Sequence, residues 1–209
     1  MRTLILTGYN DTGAPIGNLT SKLFLEYAER HGYSVLVRRK YPVDIHPCWM
    51  KLHWVRDALP LFDEVVWLDM DTVLTNMDVT VEDIRGKHSG LTISLDWEVM
   101  NPRQFSSGNF IAANTPDMIE FFDEALKLTQ HADVACWDQN AMREVYCRGG
   151  KWERLVCVLP HCKLGSVPVE AQPGAIAPWK PGDFLCHLTG IGNEKRIELF
   201  HKFTNGKYR

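Results

Sequence analysis

Short apolar runs alternate with longer stretches whose apolar positions recur every three or four residues, and this alternation organises roughly the first 150 residues. Residues 3 to 7 form an apolar run that ends in the Gly-, Asn-, Asp- and Pro-bearing stretch 8–18, the pattern of a strand entering a loop. Leu19 to Arg30 sets Leu23, Phe24, Tyr27 and Ala28 on one stripe, with Gly32 as the C-cap, which predicts a helix. Tyr33 to Val37 reads as the next strand. Between Trp49 and Leu59, the positions Leu52, Val55 and Leu59 share a helical face, and Pro60 stops the helix. Strands are expected at Leu91 to Leu95 and Phe110 to Ala113. A helix follows, with Thr115 as cap, Pro116 in the first turn, and Met118, Phe122, Ala125 and Leu126 toward the core. Trp137 to Tyr146 reads as another helix. Leu155 to Leu159 and Phe184 to His187 are late strands, separated by the Pro- and Gly-rich stretch 165–182. The alternation predicts an α/β fold with a mostly parallel, Rossmann-like central sheet flanked by helices.

One run differs from the rest. Glu64-Val65-Val66-Trp67-Leu68 leads directly into Asp69-Met70-Asp71. An apolar run without alternation reads as a strand buried on both faces, as in parallel sheets, where ligands bind at the carboxyl ends of strands. In extended chain, Asp69 and Asp71 project to one side and Met70 to the other. Two carboxylates so placed repel each other unless a cation or a donor lies between them. They suit a divalent ion such as Mg²⁺ or Mn²⁺. Asp is also common where a strand simply turns, which needs no ligand.

Composition narrows the classes. The 209 residues are 45% hydrophobic and 23% charged, the balance of one soluble globular domain. A net charge of −3 points to no nucleic-acid or anionic-membrane partner. The apolar core of Met1 to Gly8 is too short for a signal peptide or a membrane span, so a cytoplasmic chain without a transmembrane segment is expected. Cys48, Cys136, Cys147, Cys157, Cys162 and Cys186 contain no C-x-x-C pair, so reduced thiols are expected; Cys157, His161 and Cys162 match no standard zinc spacing.

Five stretches occur in order: Trp49-Met50-Lys51, Trp67-Leu68-Asp69-Met70-Asp71, Ser106-Ser107-Gly108-Asn109-Phe110, Trp137-Asp138-Gln139, and Gly182-Asp183-Phe184-Leu185-Cys186-His187-Leu188-Thr189-Gly190. In order and spacing the chain resembles the GT-A fold glycosyltransferases. The likeness is chiefly to the retaining galactosyl-, mannosyl- and xylosyltransferases of yeast and plants, and more loosely to glycogenin-like enzymes. The resemblance implies one domain over 1–209, with 1–110 the nucleotide-sugar-binding half and 111–209 the acceptor-side half. It implies a metal-dependent enzyme that moves a hexose from a UDP- or GDP-linked donor to a glycan or glycoconjugate hydroxyl with retention.

By the same resemblance, Asp71 and His187 ligate the metal and Asp69 bridges metal and ribose. Mn²⁺ is favoured over Mg²⁺ because imidazole is a softer ligand than oxygen. Thr7, Gly8 and Tyr9 would hold base and ribose, and Gly190 closes the H-x-x-G element of the cofactor site. Asn109 and Gln139 would face the donor sugar. Asp138 would orient that sugar or assist at its anomeric carbon, with Asp96 a second candidate for the role. Lys51 and Lys195 would contact phosphates, although glycogenin-like relatives carry the lysine where this chain has Asn193. Trp97, Trp137, Trp152 and Trp179 are candidates to stack on acceptor sugars, and 165–182 to form an acceptor-side or lid loop.

Two other readings compete. Asp69-Met70-Asp71-Thr72-Val73 also fits the D-x-D-x-[TV] text of haloacid-dehalogenase-type phosphohydrolases, with Asp69 as phosphoryl acceptor. A non-catalytic carbohydrate-binding protein on the same scaffold is the second.

Overall fold

A computed structural model describes residues 1–39, 46–96, 101, 103–170, 172–176 and 178–208. Its strands are β1 Thr3–Gly8, β2 Ser34–Arg38, β3 Glu64–Leu68, β4 Thr72–Leu74, β5 Leu91–Leu95, β6 Phe105–Ala113, β7 Val156–Leu159 and β8 Leu185–His187. Its α-helices are α1 Ala14–His31, α2 Pro47–Ala58, α3 Val81–Arg85, α4 Pro116–Leu126, α5 Trp137–Cys147, α6 Lys151–Leu155, α7 His161–Leu164 and α8 Asn193–Phe203. No helix of the described residues is long and apolar enough to cross a membrane.

The central sheet runs β2-β1-β3-β6-β5-β7. β1 is parallel to β2 and β3, and β5 to β7, while β6 is antiparallel to both neighbours. The period of two along each strand sorts the core into two layers. Leu4 and Leu6 of β1, Val65 and Trp67 of β3, and Phe110 and Ala112 of β6 pack with α2, α4 and α5. The alternate residues Ile5, Val66, Leu68 and Ile111 pack with α1, α8 and the minor sheet. That is why β3 shows no alternation: all five of its residues are buried.

Local signals set the helix ends. Gly32 takes a left-handed conformation (φ 73°) and its N–H bonds to Ala28 O, as a glycine C-cap does. The Thr115 hydroxyl accepts from Met118 N at 3.2 Å, capping α4 with Pro116 in its first turn.

Several features depart from the sequence expectations. α1 begins at Ala14, inside the stretch 8–18 expected as a loop. β6 begins at Phe105 rather than Phe110, because the polar stretch Ser106 to Asn109 is strand despite its composition; a register shift at Ile93/Ser94 accommodates it against β5. Asp69 and Asp71 do not continue β3 in extended form. Thr72 N donates to Asp69 O at 3.0 Å, so they sit on a turn, and the turn rather than strand alternation brings them together. The chain then enters β4, which pairs antiparallel with β8, Thr72 opposite His187. Neither β4 nor α8 has a pattern long or regular enough to have been expected.

Candidate active site

The β3–β4 turn lies where the central sheet meets the minor sheet, and the β4–β8 pairing delivers His187 to it across the whole length of the intervening chain. His187 N donates to Ser166 O at 2.7 Å, and Leu188 N to Asp71 O at 2.8 Å, fixing the register. Gly108 on β6 leaves room for the imidazole: a Cβ there would lie 2.3 Å from His187 Cε1.

Each carboxylate of the turn has one oxygen engaged and one turned to the histidine. Asp69 Oδ1 accepts from Trp67 Nε1 at 2.7 Å and pairs with Lys51 Nζ at 3.0 Å. Its Oδ2 lies 3.7 Å from His187 Nε2. Asp71 Oδ2 pairs with Arg196 Nη2 at 2.7 Å, while Oδ1 lies 3.2 Å from His187 Nε2. Asp69, Asp71 and His187 thus offer three ligand atoms within 4.8 Å of one another, the one such group of His, Cys, Asp or Glu among the described residues. The donor set fits a divalent metal, two hard carboxylate oxygens and one imidazole nitrogen on a common face with protein cations behind it. Cys157, His161 and Cys162 form no comparable group, and none of the six cysteines is in a disulfide.

The electrostatics follow from this packing. Burial opposes ionisation of Asp71, but His187 and Arg196 outweigh it and hold the carboxyl well below the usual range. Burial also opposes charging of His187, yet Asp71 and Asp69 shift its pKa upward. A proton and a metal ion are therefore alternatives at the same Nε2.

Lys51 is buried to 4% exposure. Its ammonium donates to Ser107 O at 2.8 Å and pairs with Asp69 Oδ1 at 3.0 Å and Asp138 Oδ2 at 3.1 Å. The contact with Asp138 is an ion pair without hydrogen-bond alignment. Burial lowers the ammonium pKa, but the two carboxylates more than reverse that. Burial raises the pKa of Asp138, with Lys51 opposing. Lys51 has its donors engaged within the protein, so it joins α2 to the turn and to α5 and is not placed as a free phosphate contact.

Two cavities of about 290 and 330 Å³ meet at this face. The first is bounded by Gly8, Tyr9, Asp71 and Arg196, the second by Asp96, Ser107, Asp138 and Gln139. Lys51, Asp69, Trp137 and His187 border both. Gln139 accepts from Ser107 N at 2.9 Å and donates to Asp96 at 3.0 Å, and Arg143 holds the same Asp96 oxygen at 2.7 Å.

Several expected residues lie elsewhere. Thr7 is buried in β1 and borders neither cavity. Asn109, 1% exposed, accepts from Thr72 Oγ1 at 2.7 Å and donates to Leu164 O at 3.1 Å. Its amide closes the β3–β4 turn from behind instead of facing the cavities. Lys195 pairs with Glu198 at 2.6 Å, away from both cavities. The next residue, Arg196, supplies the cation, because α8 turns that side chain toward Asp71. Gly190 takes φ 75° and packs near Gln172 without bordering either cavity. Trp152 packs on Phe121, and Trp179 packs on Phe203 and donates to Thr75 Oγ1. Trp97 lies outside the described residues. The described residues of 165–182 border neither cavity.

Arg196 and the Trp67 indole were not foreseen. The signal for Arg196 was the spacing of Ile197, Phe200 and Phe203 after Gly192, which is helical but short.

Residues 3–104 match the family model described as the galactosyl transferase GMA12/MNN10 family. No curated protein sequence matches the chain. Among solved structures the chain is similar to a glycosyltransferase involved in the glycosylation of the major capsid of PBCV-1. That match covers 97% of this chain and 100% of the other, at TM-score 0.70 and 16% identity. It is similar to the galactosyltransferase LgtC, in complex with donor and acceptor sugar analogs, over 95% of each chain at TM-score 0.57 and 13% identity. The glycosyltransferase GlyE of Streptococcus pneumoniae TIGR4 matches over 98% of this chain and 62% of its own, at TM-score 0.58 and 12% identity. The fold is the GT-A fold. Family model and fold together indicate a glycosyltransferase.

Proposed function

We propose that the protein is a divalent-metal-dependent hexosyltransferase that uses a UDP- or GDP-linked hexose and a glycan or glycoconjugate hydroxyl, with retention at the anomeric carbon. The observation that carries this reading is the convergence of Asp69, Asp71 and His187 at the junction of two cavities. One cavity is suited to a nucleotide diphosphate, with Gly8 and Tyr9 at the end of β1 and the Arg196 guanidinium near Asp71. The other offers the amide of Gln139 and the carboxylates of Asp96 and Asp138 to a polyhydroxylated ring. Retention rests on the family resemblance alone.

Asp69, Asp71 and His187 would hold the metal, and the imidazole favours Mn²⁺ over Mg²⁺. A bound divalent ion supplies Lewis-acid neutralisation of the charge that develops on the leaving diphosphate. Arg196 adds a second fixed cation beside the same cavity, suited to phosphate oxygens. Lys51 keeps Asp69 and Asp138 at a set separation, so the metal side and the sugar side are held by one ammonium. Asp138 then lies next to the sugar side as an anionic group able to stabilise positive charge near the anomeric carbon. A cytoplasmic setting suits the six unpaired cysteines.

A panel of UDP- and GDP-sugars, screened by thermal shift with and without Mn²⁺, tests this directly. One nucleotide sugar should raise Tm only when Mn²⁺ is present, and should then be turned over. Cleavage of p-nitrophenyl phosphate, with no response to any nucleotide sugar, would contradict the reading.

A further inference from the structure

Among the described residues, four aromatic side chains border the two cavities, and they differ in what they leave uncovered. Tyr9, Trp54 and Trp67 are 7%, 3% and 2% exposed, respectively. The Tyr9 ring is covered by the Arg39 guanidinium at 4.4 Å, and its hydroxyl is tied to Asn18. Of these four, Trp137 alone is only partly buried, and it borders both cavities.

Trp137 is also held in place. His46, the N-cap of α2, stacks on it with centroids 4.1 Å apart and planes within 5°. Cys136, immediately before it, has a left-handed backbone (φ 70°, ψ 6°) although it is not a glycine. Such conformations persist where the surroundings over-determine them. Asp138, immediately after it, is pinned by Lys51. A partly exposed indole is thus fixed on both sides in sequence and on one face in space.

We propose that Trp137, backed by His46, is the platform on which an acceptor sugar ring stacks. This inference rests on the glycosyltransferase reading above. The C–H face of a pyranose is apolar and packs on an aromatic ring, while its hydroxyls remain free to reach polar groups. Thr189 borders the same cavities and can meet those hydroxyls. A nucleotide base is the other flat ligand in reach, but the cavity end beside Gly8 and Tyr9 is where the first strand would present it. His46 is a positioning residue: it acts by holding the indole.

The test separates the acceptor from the donor. With Mn²⁺ and the nucleotide sugar that is turned over, transfer to p-nitrophenyl hexosides and hydrolysis by water are measured together for wild type, Trp137→Ala, Trp137→Phe and His46→Ala. Binding of the same hexosides to protein loaded with UDP or GDP and Mn²⁺ is followed by saturation-transfer NMR. The ratio of transfer to hydrolysis should fall about tenfold in Trp137→Ala, on the scale of one lost aromatic contact. Trp137→Phe should recover most of it, and His46→Ala should fall in between. Should Trp137→Ala fail to fold, His46→Ala carries the same prediction with a smaller fall, and an unchanged ratio there counts against the platform. An unchanged ratio, a rise confined to the donor KM, or no hexoside bound by loaded wild type overturns the platform. Absence of any Mn²⁺-dependent donor hydrolysis in wild type instead overturns the reading beneath it.

Discussion

The two sides of the metal face are built in different ways. Asp69 and Asp71 ride on a turn at the end of β3, in the middle of a six-stranded sheet, with Trp67, Lys51 and Asn109 holding the turn from three directions. His187 and Arg196 arrive on β8 and α8, which reach that turn through a two-stranded sheet of three residue pairs. The difference teaches that one side gathers its supports around a single turn, while the other depends on strand pairing across most of the chain. Only the contact of Trp67 with Asp69 joins neighbouring residues.

The largest expected effect lies on the sheet side. Lys51→Met removes the cation from buried Asp138 and from Asp69, and should destabilise the protein by about 3–5 kcal/mol in urea unfolding. A loss below about 1 kcal/mol, the scale of an exposed ion pair, would mean that the ammonium does not hold this region together. The next effect tests the long-range side. Gly108→Ala places a methyl against the His187 imidazole, and should weaken Mn²⁺ binding by about ten- to a hundredfold, as displaced ligand supports do. Equal Mn²⁺ affinity in titration calorimetry would show that the imidazole has other room. The smallest effect sharpens the assignment within α8. Arg196→Ala should weaken UDP or GDP binding by about tenfold, the size of one charge-assisted contact. Lys195→Ala, by losing only the surface pair with Glu198, should stay within about twofold. The reverse order of these two variants would restore the lysine as the phosphate cation.

This contrast also explains what was legible in the chain. The unbroken run Glu64 to Leu68 announced a strand buried on both faces, and Thr115-Pro116 announced α4, because both signals are local and redundant. The carboxylate pair was legible as chemistry, but its geometry was not: a turn and an extended strand end converge two acids equally well. Asn109 shows the limit most clearly. The resemblance sets its amide against the donor sugar, yet that amide is consumed by the Thr72 hydroxyl and the Leu164 carbonyl. β4 is three residues long, too short for any period to register. Arg196 differs from Lys195 only in which way α8 turns, and that is set by Leu199 and Phe200 packing into the second core layer.

The central claim is that residues from both sides make one metal site serving one reaction. Mn²⁺ binding and Mn²⁺-dependent turnover of the preferred nucleotide sugar, measured in the same samples of wild type, Asp71→Ala and His187→Ala, test it most directly. The account predicts that each variant loses both together, with turnover down on the order of a hundredfold or more, the scale of removing one preorganised electrostatic group. Wild-type Mn²⁺-dependent turnover in either variant would contradict it.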